Sequence, residues 1–104
     1  MSENQILELI KNTVTNLEPD STVYLFGSRA RKTHHIKSDF DILVVTSDSC
    51  DDKRKLYLMR TIRKRLADLY VDVDVLVNSK SQVNSKINIP GSIYQTVFKE
   101  GLHL

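Results

Sequence analysis

Two aspartates, Asp39 and Asp41, stand two positions apart at the head of an apolar run, Ile42-Leu43-Val44-Val45. On a strand, residues two apart share a face, with α-carbons roughly 6.6–7 Å from each other. Two carboxylates on one face beside apolar neighbours are costly to leave unpaired. A divalent cation relieves that cost, and hard oxygen ligands suit magnesium. Upstream, Gly27-Ser28 follows a β-rich run, 22–26, and precedes a basic segment, Arg29-Ala30-Arg31-Lys32. A strand that ends in a glycine turn before a helical turn offers backbone N–H groups to phosphate. Gly27 permits close approach of backbone to phosphate, Ser28 can donate its hydroxyl, and Arg29 and Arg31 can neutralise phosphate charge. A phosphate cradle beside metal-binding carboxylates is the chemistry of nucleotidyl transfer.

Each of these residues has a plainer reading. The aspartates could be a loop cap and a salt-bridged strand residue, Gly27-Ser28 a simple turn, and the arginines solvated surface charge. The whole constellation favours chemistry at the aspartates and the turn, and leaves the arginines open. A further acidic pair, Asp72 and Asp74, sits in the alternating run Val-Asp-Val-Asp-Val-Leu-Val at 71–77. The two share one strand face, so periodicity does not separate them.

The elements that must position these groups can be read in order. Residues 3–17 pattern as an amphipathic helix, with Ile6, Ile10, Val14 and Leu17 at helical spacing and Ser2 as N-cap. Pro19-Asp20 ends it. Strands are predicted at 22–26, 40–45 and 71–77, and the near-continuous apolar second strand implies burial on both faces. Residues 29–32 suit one helical turn and 33–37 a loop. A long helix is predicted over 53–70, with Leu56, Met59, Ile62, Leu66 and Leu69 as its apolar stripe. Its basic residues Lys53, Arg54, Arg60, Lys64 and Arg65 read as a solvated face or a docking face. Asp51 and Asp52 suit its start. Segment 78–89 carries no clear pattern. After Pro90-Gly91, residues 92–100 read as a last helix with Ile93 and Val97 packing inward, joined by Tyr94 and Phe98; Gly101 closes it and 102–104 form a tail. The result is an α/β (α+β) fold: one small mixed sheet flanked by helices. The 12-residue segment 28–39 between the first two strands permits a crossover or an antiparallel return.

At 104 residues the chain suits a single domain, 1–104. No apolar run approaches the roughly 18–20 residues that span a bilayer, and Met-Ser-Glu-Asn-Gln begins no secretion signal. The single cysteine, Cys50, cannot form an internal disulfide, which favours a reducing cytoplasm. It lacks a histidine partner for nucleophilic work. His34 and His35 lack a third ligand at zinc spacing and read as exposed loop residues. Ser38 reads as a turn residue. A net charge of +2 is too slight to argue for nucleic-acid binding.

Gly-Ser-Arg-Ala-Arg, then Ser-Asp-Phe-Asp-Ile-Leu-Val with its first aspartate 12 positions after the glycine, resembles the minimal branch of the DNA polymerase beta-like nucleotidyltransferase superfamily. The likeness is close over 23–45, and the acidic strand and the Pro-Gly-Ser run before a closing helix extend it over most of the chain. The resemblance implies that Gly27 and Ser28 hold a triphosphate and that Asp39, Asp41 and a third acid coordinate two magnesium ions. Spacing to the later Pro-Gly in that branch favours Asp74 as the third acid, with Asp72 as runner-up. It implies ATP as donor and AMP as the group transferred. Lys32 departs from the branch, which often has glycine there.

Members of the branch are commonly paired with a small helical HEPN-type protein, and some are antitoxins that adenylylate a tyrosine on it. The leading expectation is therefore a metal-dependent nucleotidyltransferase acting on such a partner. The alternative is a binding antitoxin without chemistry, which would not need its three acids intact. Transfer to a small molecule such as an aminoglycoside is weaker, since relatives that do this generally carry an added domain. Template-directed polymerisation is weaker still, for want of a basic excess to hold DNA.

Overall fold

Ser2 starts the fold. Its side-chain oxygen accepts a hydrogen bond from the Gln5 N–H at 3.2 Å, and the Gln5 side chain accepts one from the Ser2 N–H at 2.8 Å. This capping box satisfies N–H groups that no helical carbonyl reaches. Helix α1 then runs Glu3–Leu17, as predicted, and buries Ile10 and Val14. The computed structural model describes residues 1–33, 35 and 38–104. The predicted loop at 33–37 and His34 fall partly or wholly outside those residues.

Strand β1 spans Thr22–Phe26, helix α2 Gly27–Arg31 and strand β2 Phe40–Thr46. Helix α3 spans Asp52–Ala67, strand β3 Val73–Ser79, helix α4 Lys80–Lys86, helix α5 Ile93–Glu100 and strand β4 Leu102–His103. The sheet order is β3-β2-β1-β4. Strand β1 pairs antiparallel with β2 and with β4, while β2 and β3 run parallel. The segment between β1 and β2 is therefore the antiparallel return, and α3 is the crossover that a parallel pair requires.

Helices α1 and α3 cover one face of the sheet. There Ile10, Val14, Leu58, Ile62 and Leu66 pack on Val23, Leu25, Phe40, Ile42, Val44, Val73 and Val75. Helices α4 and α5 cover part of the other face, where Val83, Tyr94 and Val97 pack on Leu43 and Val45. Strand β2 lies between neighbours on both sides and between helices on both faces, so every residue from Ile42 to Thr46 is buried. No helix among the described residues is long and apolar enough to cross a membrane.

Several expectations need correction. The buried stripe of α3 is Leu58, Ile62 and Leu66, with Met59 partly buried; Leu56 and Leu69 are 41% and 48% exposed. At about 100° per residue, Leu56 lies about 120° around the helix from Ile62. Leu69 falls after the helix has ended. The Val71 N–H donates to the Leu66 carbonyl at 2.9 Å, and Tyr70 takes a left-handed φ of 62°. That closure consumes Val71 and Asp72, so β3 begins at Val73 rather than Val71. Arg54 is no mere solvated charge: it bonds Glu18 at 3.1 Å and the Leu17 carbonyl at 2.8 Å, tying α3 to the end of α1.

Segment 80–86 is helical although it carries one buried residue, Val83. In α5, Tyr94 and Val97 face inward, whereas Ile93 and Phe98 are 44% and 42% exposed. Phe98 instead rests on Tyr24, ring centroids 4.8 Å apart. Gly101 does close α5, donating to the Val97 carbonyl at 2.7 Å. The expected tail is strand β4, whose residues pair with Tyr24 and Leu25.

The revised stripe makes a direct comparison possible. Leu58→Ala should destabilise the fold by about 2–5 kcal/mol, and Leu56→Ala by under about 1 kcal/mol, in urea denaturation. Similar losses from both would contradict the helix orientation.

Candidate active site

The parallel pairing of β2 and β3 puts Asp41 directly beside Asp74. Adjacent strands lie about 4.8 Å apart, so two like charges meet at one end of the sheet. Asp39 precedes Asp41 by two residues and is exposed. Partial burial, then Asp74, then Asp39 push the Asp41 carboxyl above its ordinary pKa, and the Arg31 guanidinium pulls it partly back. The three carboxylates thus share one electrostatic neighbourhood.

Gly27 abuts this group. Asp41 stands opposite Phe26 in the β1–β2 register, and Gly27 is the next residue. It has φ +74°, and a Cβ there would overlap the Asp41 Oδ2. The bend needs glycine twice over, for its backbone angle and for the space the carboxylate occupies. Helix α2 begins at Gly27 itself, two residues earlier than the sequence suggested, so Ser28 lies within its first turn. Lys32 caps α2 at φ 58°, a left-handed conformation that favours glycine. Lys32 takes that conformation although it is not glycine.

A cleft of about 300 Å³ opens at this point, lined by Phe26, Asp41, Arg63, Asp74, Val75, Leu76 and Ile93. Arg63 was not singled out from sequence. Its place in a basic helix gave no sign that α3 carries it around the sheet edge to the cleft.

Arg29 and Arg31 part company. Residues two apart on a helix point about 200° from each other. Arg31 acts on Asp41 and lies 3.7 Å from Glu100, both side chains about half exposed. Arg29, a candidate for phosphate from the sequence, turns to the α1 and α3 face. It bonds the Ser38 carbonyl and Glu3, and its guanidinium lies 4.2 Å from the Phe40 ring centroid.

Asp72 is likewise set apart from Asp74. It precedes β3, its carbonyl accepts the Phe40 N–H at 3.0 Å, and it borders a different cleft with Arg29, Phe40 and Tyr70. Ser38 is a turn residue as expected, its hydroxyl accepting the His35 N–H at 2.9 Å. His35 is exposed and Cys50 is buried and unpaired.

The donors at the cleft are carboxylate oxygens, the set a hard divalent cation takes. Burial first, and then the repulsion from Asp74 and Asp39, raises Asp41, and such a cation would offset both. Among the described residues, no three His, Cys, Asp or Glu side chains already converge on one ion. Magnesium seldom needs that, since it is commonly held by one or two carboxylates with phosphate oxygens and water.

The model of the nucleotidyltransferase domain family matches residues 7–101. The chain belongs to that nucleotidyltransferase family. Among curated relatives, protein adenylyltransferase MntA of Shewanella oneidensis is 32% identical over 76 residues, which are 73% of this chain and 50% of that protein. The chain thus spans about half the length of the curated relative it matches. A solved toxin–antitoxin with AMP-PNP is 26% identical at a TM-score of 0.59, covering 99% of this chain and 72% of that one. A Sulfolobus solfataricus protein assigned as a nucleotidyltransferase is 25% identical at a TM-score of 0.62, covering 95% and 76%. The small mixed sheet with flanking helices is the nucleotidyltransferase fold.

The crowding at Asp41 has a pH signature. The folded chain holds the Asp41 proton to higher pH than the unfolded chain does. Stability from the protonated form is therefore present at low pH and lost as pH rises from about 4 through the raised value. In metal-free protein, Asp41→Asn should remove that decline, so its melting temperature should exceed wild type at pH 7 and converge with it near pH 3. Thermal melts in chelator across that range check this. Gly27→Ala should destabilise the fold by at least about 1 kcal/mol, the scale for a side chain forced into left-handed backbone; a denaturation midpoint equal to wild type would contradict the close packing on Asp41.

Proposed function

We propose that the chain acts as one nucleotidyltransferase domain that moves AMP from ATP to a protein hydroxyl. The observation that carries the reading is the side-by-side placement of Asp41 and Asp74 beside Gly27, with Asp39 two residues away and an open cleft in front. In this reading Asp39, Asp41 and Asp74 hold two magnesium ions, and Gly27, Ser28 and Arg31 hold the triphosphate. Bound magnesium supplies charge that stabilises both the attacking and leaving oxygens of an in-line displacement.

The acceptor oxygen attacks the α-phosphorus of ATP. The bond from that phosphorus to the bridging oxygen breaks, and pyrophosphate leaves with the bonding pair. Asp74, at the edge strand and exposed, takes the hydroxyl proton. Asp41, held between Gly27 and Asp74, is the least exposed of the three and forms the centre of the site.

The acceptor we propose is a tyrosine on a small helical partner of the HEPN type, with this chain as antitoxin. The sequence resemblance, the adenylyltransferase relative and the toxin–antitoxin structure with AMP-PNP support that choice. Ile93, on α5, is 44% exposed at the rim of the cleft, where an incoming hydroxyl-bearing segment would pass. The setting is the cytoplasm, in keeping with one unpaired thiol, Cys50.

Magnesium-dependent pyrophosphate release from ATP, measured with the copurified helical partner, tests the reading. Asp39→Asn should lower the rate at least ~100-fold, the scale on which losing one transition-state electrostatic contact acts. The partner should gain the mass of AMP with wild type only. Equal rates for both proteins would defeat the metal assignment.

A further inference from the structure

Arg29 touches both neighbours of Asp39. Its Nε and Nη2 donate to the Ser38 carbonyl at 3.2 and 2.8 Å, and its guanidinium lies 4.2 Å from the Phe40 ring centroid. Nη1 lies 3.5 Å from Glu3 Oε1 in the first turn of α1, and the side chain is only 11% exposed. Asp39 itself is exposed and lies outside β2. Its position is therefore set through the residues on either side. Phe40 is held from one direction by its N–H bond to the Asp72 carbonyl. Ser38 is held from the other by Arg29.

We infer that Arg29 is a positioning residue that sets where the Asp39 carboxylate stands, rather than a ligand of phosphate. This rests on the reading of Asp39 as a metal ligand given above. The chemistry suits arginine alone: a planar fork can send two N–H groups to one carbonyl while its face lies on an aromatic ring. A lysine ammonium keeps the charge but cannot do both. The side of the sheet agrees, because Arg29 lies over Phe40 on the α1 and α3 face, whereas Asp41 opens to the cleft on the other.

The test compares wild type, Arg29→Ala, Arg29→Lys and Asp39→Asn. Hydrogen exchange of metal-free protein, read by mass spectrometry over peptides spanning 33–41, reports the clamp without catalysis. Manganese titration by electron paramagnetic resonance reports the ligand. Arg29→Ala should speed exchange at 38–40 about tenfold, with β1 and α3 at wild-type levels. It should weaken manganese binding about tenfold, the lower end for losing a residue that orients a ligand. KM for ATP at saturating metal should stay within about twofold, and Arg29→Lys should recover little of either loss. Unchanged exchange at 38–40 overturns the inference, as does a raised KM for ATP that lysine restores. Should wild type bind no manganese even with a non-hydrolysable ATP analogue present, the catalytic reading fails, and the exchange result still decides whether Arg29 holds the segment.

Discussion

Like-charge repulsion between Asp41 and Asp74, forced together by the parallel register of β2 and β3, is the constraint around which this structure is arranged. The pairing would be unfavourable in a fold that gained nothing from it. Here it is held by the rest of the sheet: each strand buries apolar residues immediately after its aspartate, and those contacts outweigh the repulsion. A slip of one residue would turn every β3 side chain to the other face and carry Asp74 away from Asp41. Register, and so the site, depends on where α3 stops. The left-handed turn at Tyr70 and the bond from Val71 to Leu66 determine that point.

The two faces of the sheet divide the labour. The α1 and α3 face is a continuous apolar core, which anchors Val73, Val75 and Phe40. The other face is covered only in part by α4 and α5, and the carboxylate end stays open. Short helix α2 stands between them, and two arginines two positions apart on it serve different faces. Arg31 joins the field of Asp41, and Arg29 joins the packing around Phe40.

Solved structures at 25–26% identity share this fold across most of the chain. The candidate site itself rests on few residues: a glycine at positive φ, an apolar strand led by two aspartates and an acid on the parallel neighbour. Even the left-handed residue after α2 tolerates lysine, since it lies at an exposed cap where strain is local.

Much was legible without coordinates. Strand β1, helix α1 and the α3 start follow from caps and periodicity, because those signals are local. The candidate metal carboxylates Asp39 and Asp41 were visible because two acids ahead of an apolar strand conflict with burial. Helix α4 was not legible, since one buried valine leaves no periodic pattern, and β4 was missed because two residues carry no alternation. The stripe of α3 was misread where leucines on two sides of the helix gave competing patterns.

What the residues alone determined is the local chemistry: a glycine bend, a pair of acids and a second acidic strand, each encoded within a few positions. Tertiary structure decided which acid of the second strand meets Asp41, which arginine of α2 acts on Asp41, and that Arg63 lines the cleft. Those outcomes depend on strand register and helix rotation, which are set by packing between segments far apart in the chain.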